Sequence, residues 1–340
     1  MGPSSVISFH HLPKIELHVH LDTSLSFLNA VRLHPGLTES AYRSEYVAPD
    51  VCRDLTDFLG YPASSIALLQ QREHLTMAIR QLIRELKEDG VIYAEIRFAP
   101  LLHLAGGLRA EEVVEAACEA ILEGEEETGV MARLLLCTLR HFTVEQSMQT
   151  ADLVRQFSDQ GVVGMDLAGD EAFSLNPHIP AFRAMAEAGI PCTAHAGEAR
   201  GADSVEDALE FLGVRRIGHG VRSIEDSGLV ATLARHRIHL EVCPSSNLQT
   251  RVFSRLSEHS IDRLYRAGVS LSINTDGRGL TSTTLSREYA LVAQAFGWEQ
   301  RDFLTVNRMA LQAAFLPADQ KEVLRTRLEG GYGQSDLPTR

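Results

Sequence analysis

The chain has 340 residues, 44% of them hydrophobic, and a formal net charge of −13. That acidity argues against a nucleic-acid or anionic-membrane partner, and no apolar run reaches the length of a membrane span. Five scattered cysteines without a CxxC pair suit a reducing compartment, and the N-terminus lacks the regions of a signal peptide, so a cytoplasmic protein is expected.

Taken in chain order, eight short apolar runs alternate with helical patterns. The runs are 15–21, 91–98, 133–138, 162–167, 190–194, 216–218, 238–242 and 269–274. Few alternate strictly with polar residues, which suggests strands covered on both faces, as in a parallel sheet. Leu75, Ile79, Leu82 and Leu86 repeat at helical spacing before Gly90, a suitable C-terminal glycine. Thr143 with Gln146 forms a capping-box pattern for a helix expected to stop at Gly161, and another is expected from Ser204 to Gly213. Eightfold strand–helix alternation predicts a (β/α)8 TIM barrel, with residues 1–340 as one α/β domain and the barrel at about 12–316.

Two stretches exceed the minimal unit. The segment between the first two strands, about 28–89, must hold a helical insertion, with helices expected at 55–59 and 64–88, positioned to cover the barrel mouth. Beyond the eighth strand a helical extension is expected at 285–296, 303–316 and 319–328. The glycine-rich stretch from Gly330 reads as a frayed tail, 330–340.

The polar residues of interest fall at the C-terminal ends of the strands, where barrel enzymes keep their chemistry. His18 and His20 flank one apolar residue in the first strand. Residues i and i+2 of a strand face the same side, so the two imidazoles make half of a tetrahedral metal site. A single histidine at a strand end is more often structural. Here His195 and Glu198 follow the fifth strand, His219 the sixth, and Asp276 the eighth.

These segments, His18-Val19-His20, His195-Ala196-Gly197-Glu198, Gly218-His219-Gly220, Cys243-Pro244-Ser245-Ser246-Asn247 and Asn274-Thr275-Asp276, resemble the motifs of the adenosine deaminase family in order and spacing. Glu95-Ile96-Arg97 and the segment Asp166–Glu171 are similar to family segments as well. The resemblance implies a (β/α)8 barrel and hydrolytic, zinc-dependent deamination of a 6-aminopurine nucleoside such as adenosine or 2′-deoxyadenosine. It implies one Zn2+ per chain held by His18, His20, His195 and Asp276, with water as co-substrate. His219 would hold or deprotonate that water, Asp276 would also orient it, and Glu198 would protonate the ring nitrogen beside the attacked carbon. Substrate contacts implied are Asp22 near the ribose hydroxyl and the Gly169 backbone against a ring nitrogen.

Two departures stand out. The family usually has glycine after the Asp22 position, and here it is Thr23; it usually carries a second acid after Asp276, and here it is Gly277, followed by Arg278. An open purine N7 beside Gly277 is therefore expected. An adenosine bearing a large 5′ substituent, such as 6-aminodeoxyfutalosine, is the alternative substrate. A binuclear centre bridged by a modified lysine is disfavoured, because Lys14, Lys87 and Lys321 are the only lysines and none lies in the fourth strand. A scaffold without activity would be free to lose Glu198, His219 or a ligand, and all are retained.

Overall fold

Each apolar run forms a strand in the computed structural model, which describes residues 9–333. The strands are β1 (Lys14–His20), β2 (Val91–Phe98), β3 (Met131–Leu139), β4 (Val162–Ala168), β5 (Cys192–Ala196), β6 (Arg216–His219), β7 (His239–Val242) and β8 (Ser270–Ile273). All pair in parallel, in chain order. The ring closes through β1 and the end of β8. The His20 amide donates to the Asp276 carbonyl at 2.8 Å, and the Asp276 amide donates to the His18 carbonyl at 2.9 Å. The Asn274 side chain completes the seam by accepting from the Leu17 amide at 3.0 Å. The result is the expected TIM barrel. Every position of β2 is buried, which explains the continuous apolar runs.

Local signals place most helices well. Thr143 and Gln146 make both bonds of the capping box, although that helix, Val144–Gln156, ends in a turn before Gly161. The helix expected from Ser204 begins at Ala202 and ends at Phe211. The insertion holds more than was legible: Phe27–Leu33, Glu39–Glu45, Leu55–Phe58, Ala63–Leu68 and Arg72–Glu88. The helix expected over 64–88 is broken around Gln70, whose side-chain amide donates to the carbonyls of Ile66 (2.7 Å) and Leu102 (3.0 Å). A side chain that satisfies the free backbone acceptors ends a helix without glycine or proline.

The C-terminal extension corrects one expectation. The last helix runs Ala318–Gly333, so the frayed tail does not begin at Gly330; residues 334–340 lie outside the described ones. Tyr332 is buried and its hydroxyl accepts from the Asn307 amide at 3.1 Å. Of the glycines that suggested fraying, Gly331 serves close packing instead, since a Cβ on it would stand 2.5 Å from the Pro13 ring. Among the described residues no helix is long and apolar enough to cross a membrane, and all five cysteines are free.

Candidate active site

The C-terminal ends of the strands gather the polar residues at the barrel mouth. His18 and His20 project from the same face of β1, and His195 rises from β5 on the far side of the ring. The Nε2 atom of His20 lies 3.2 Å from Nε2 of His18 and 3.2 Å from Nε2 of His195. Oδ1 of Asp276 is 3.6 Å from His18 Nε2 and 3.5 Å from His20 Nε2. Three imidazole nitrogens and a carboxylate oxygen thus converge on one point, and the three histidines can hold a metal ion.

The far sides of two rings fix which nitrogen faces that point. His18 Nδ1 is 2.9 Å from Glu241 Oε2, and His195 Nδ1 is 3.2 Å from Asp166 Oδ1. A carboxylate accepts, so each Nδ1 carries the proton and each Nε2 presents a lone pair, the arrangement a metal requires. Arg97 ties the two carboxylates together, at 3.0 Å to Asp166 and 2.7 Å to Glu241. Arg216 bridges Glu241 and Glu95, each at 2.6 Å. Burial opposes ionisation of Glu241, yet Arg216 and Arg97 hold its carboxyl well below the usual range. For Asp166, burial is likewise overcome by His195 and Arg97. Gly218 lets the rings lie against β6, because a Cβ there would stand 3.1 Å from His18 Cε1 and 3.2 Å from His195 Cγ.

A second donor set, His18, His219 and Cys243, also clusters. It suits a metal less well, because burial and the nearby Asp276 push the Cys243 thiol well above its usual range and keep it protonated.

Glu198 and His219 face each other beside the three histidines, with His219 Nε2 at 3.4 Å from Glu198 Oε2. Burial, reinforced by Asp276 and Glu171, raises the Glu198 carboxyl well above its ordinary value. It therefore carries a proton where most carboxylates have lost theirs. His219 and Asp276 share a backbone peculiarity, φ of +61° in each. Such left-handed residues cost on the order of 1–3 kcal/mol each and persist only where their surroundings compel it. Asp276 is further oriented by Ser246, whose hydroxyl donates to Oδ2 at 2.7 Å.

Above these groups opens a cavity of about 400 Å³. Its lower wall includes His20, Asp22, Gly169, His195, Glu198, His219 and Asp276; its roof is Leu55, Phe58, Leu59, Pro62, Ala63 and Ile66 from the insertion. Thr56 fastens the roof to the rim, donating to Asp170 Oδ2 at 2.6 Å. No lysine or arginine is among the described residues that line the cavity, whereas Asp22, Asp170, Glu198 and Asp276 all do. Asp22 accepts from the Ala99 amide at 3.3 Å and pairs with His103 Nε2 at 2.7 Å.

Gly277 departs from its expected role. It is not part of the cavity wall, and a Cβ on it would stand 2.5 Å from Thr23 Oγ1. The room that an acid would need is filled by Thr23, so the open position beside Gly277 is absent. Its φ lies outside the left-handed region, so the turn does not demand glycine. The two departures from the family pattern are one exchange of bulk between the loops after β1 and β8. Thr23 lines the cavity, and its Oγ1 is buried without a protein partner. Arg278 points elsewhere, to Asp89 at 3.1 Å.

Sequence reading missed Glu241 and His103 as parts of this site, and it placed Asn247 in a strand-end motif without giving it a role. A glutamate inside the apolar run of β7 was the available signal, since charge in a strand buried on both faces needs a partner.

Comparison with known proteins agrees with this geometry. The family model for adenosine deaminase matches residues 13–330. An adenosine deaminase of Enterococcus faecalis is 36% identical over 328 residues, covering 94% of this chain and 97% of the relative. One from Haemophilus ducreyi is 35% identical, with 94% and 96% covered. Among solved structures, an adenine deaminase from Arthrobacter aurescens superimposes with a TM-score of 0.86 at 25% identity, covering 94% of this chain and 98% of that one. An arabidopsis N6-mAMP deaminase gives 0.85 at 27%, with 95% and 99% covered. On the match of model, relatives and barrel together, the chain belongs to the adenosine deaminase family.

Proposed function

We propose that this protein deaminates an adenosine-type purine nucleoside by hydrolysis, with one zinc ion per chain held by His18, His20, His195 and Asp276. The observation that carries the reading is the convergence of three Nε2 atoms and a carboxylate beside the buried side chain of Glu198. When bound at such ligands, zinc acts as a Lewis acid that makes water acidic enough to attack near neutral pH.

The chain's own residues supply the rest. A purine entering the cavity puts the carbon bearing the exocyclic amine over the floor, with its neighbouring ring nitrogen toward Glu198. Water oxygen bonds to that carbon, and its proton passes to the Asp276 carboxylate, beside which His219 stands. Glu198 gives its proton to the ring nitrogen, so the broken C=N bond leaves no charge on the ring. The amine then leaves as ammonia with the water's proton, while the new hydroxyl returns its own proton to Glu198 and becomes a carbonyl. Gly169 and Asp22 both line the cavity, which supports a contact from the Gly169 backbone to a ring nitrogen and one from Asp22 to a ribose hydroxyl. Four carboxyl groups and no lysine or arginine around the cavity favour an uncharged nucleoside over a 5′-phosphate.

The test is ammonia release from adenosine, 2′-deoxyadenosine, adenine, AMP and 6-aminodeoxyfutalosine, with metal analysis after dialysis. Adenosine or its deoxy form should be turned over best, with about one zinc per chain. Best turnover of AMP or of the 5′-substituted compound would overturn the nucleoside assignment, and activity that needs two metals would overturn the mononuclear centre.

A further inference from the structure

Asn247 and His259 have no role in the reaction as described, yet both are buried directly behind His219. The hydrogen bonds between them run in one direction. They start from the Ile261 peptide N–H, which can only donate, and His259 Nδ1 accepts from it at 3.1 Å. Burial lowers the His259 ring to about 3, so the ring is neutral and its single proton sits on Nε2. That proton meets Asn247 Oδ1 at 3.2 Å, which fixes the amide so that Nδ2 is the group directed at His219. Nδ2 donates to His219 Nδ1 at 3.1 Å. With Nδ1 accepting, the His219 proton must be on Nε2, the nitrogen facing Glu198 and the cavity. A doubly protonated His219 would set two buried donors against each other.

We propose that Asn247 and His259 are positioning residues that lock His219 in its Nε2–H tautomer, so that His219 serves the reaction as a hydrogen-bond donor rather than as a base. This rests on the hydrolytic reading given above. A nitrogen that already carries its proton cannot take one from water. His219 instead donates to the attacking oxygen and stabilises the charge that develops there. The proton released as the water's O–H bond breaks goes to the Asp276 carboxylate, and from there to the departing amine. The Glu198 proton goes to the ring nitrogen as before, so the balance of the reaction is unchanged.

The tautomer can be read directly. Long-range 1H–15N correlation spectra of the zinc-loaded protein report which ring nitrogen of His219 is protonated. Nε2–H is expected in the natural protein and in His259→Gln, whose side-chain amide can still donate to Asn247. Asn247→Asp puts an acceptor against Nδ1 and should move the proton there, lowering kcat by about 10²–10⁴ with KM little changed. His259→Gln should keep most of kcat, which a mere loss of packing would not permit. Nδ1–H in the natural protein overturns the proposal, as does an Asn247→Asp enzyme that switches tautomer and keeps its kcat. Should Asn247→Asp fail to fold, the spectrum of the natural protein decides alone. If no adenosine-type substrate releases ammonia from the natural protein, the functional reading falls instead, and the tautomer result still stands as measured.

Discussion

The floor and the roof of the cavity are built on opposite principles. The floor is polar, buried and over-determined: His18 is fixed by Glu241, Glu241 by Arg97 and Arg216, and Arg97 also by Asp166. The roof is apolar, made of helices only four and six residues long. Its inward cluster is small, Ala48, Cys52, Leu55, Phe58 and Leu280, and Thr56 to Asp170 is one of its polar ties to the rim, beside the Ala48 and Cys52 amides, which donate to the carbonyls of Leu280 and Gln249. Groups that must be held to fractions of an ångström stand on strands, while groups that must part to admit a substrate stand on short helices with little to lose by moving. Chemistry should therefore fail when the floor is altered, and access when the roof is.

The largest effect is expected at the floor. Glu198→Gln should fold and keep its metal while kcat falls by about 10²–10⁴, because an amide can bond the ring nitrogen but cannot give it a proton. A loss below about tenfold would break the assignment. The pH profile sharpens it. Burial raises the Glu198 carboxyl and the acid form is the active one, so activity should fall as pH rises through that raised value. Glu198→Gln should lose that alkaline limb.

Next comes the support beneath a ligand. Glu241→Gln removes the charge that His18 Nδ1–H faces, and metal affinity measured by competition with a chelator should drop by about 10–100-fold. Unchanged affinity would mean that the charge cluster serves only the barrel.

The boundary between the two regions can be tested at Thr23 and Gly277. Gly277→Ala should cost about 1–3 kcal/mol in denaturant unfolding through overpacking against Thr23, and Thr23→Gly combined with it should recover most of that. Additive effects of the two changes would refute the exchange of bulk. The smallest effect belongs to the roof. Thr56→Val removes one exposed hydrogen bond, of net worth about 0.5–1.5 kcal/mol, and should raise KM a few-fold while leaving kcat alone. A fall in kcat would show that the roof takes part in the chemistry.

The same contrast governs what the sequence disclosed. The barrel and the floor were legible because histidines and acids interrupt runs that are otherwise apolar, and because strand ends bring them to one rim. Val91–Phe98 matches β2 residue for residue. The short helices Phe27–Leu33 and Glu39–Glu45 were missed because two turns are too few for a period to declare itself. The packing of Thr23 on Gly277 was invisible for another reason: those residues lie at opposite ends of the chain, and only the closed ring makes them neighbours. Tyr332 escaped because Gly331, in a stretch that suggested fraying, serves close contact with Pro13.

The seam that closes the barrel has a consequence for folding. The His20 amide, the His18 carbonyl and the amide and carbonyl of Asp276 form its backbone hydrogen bonds, so three residues placed to hold the metal also join the first strand to the last. Such a junction brings together distant parts of the chain, a contact with a large loop-closure entropy and slow to form. Assembly of the site is then coupled to closure of the barrel. Metal bound across the seam would add to the stability of the closed ring by mass action. Chelation should accordingly loosen the protein first where its ends meet, with hydrogen exchange at the His20 and Asp276 amides quickening before that of β3 and β4.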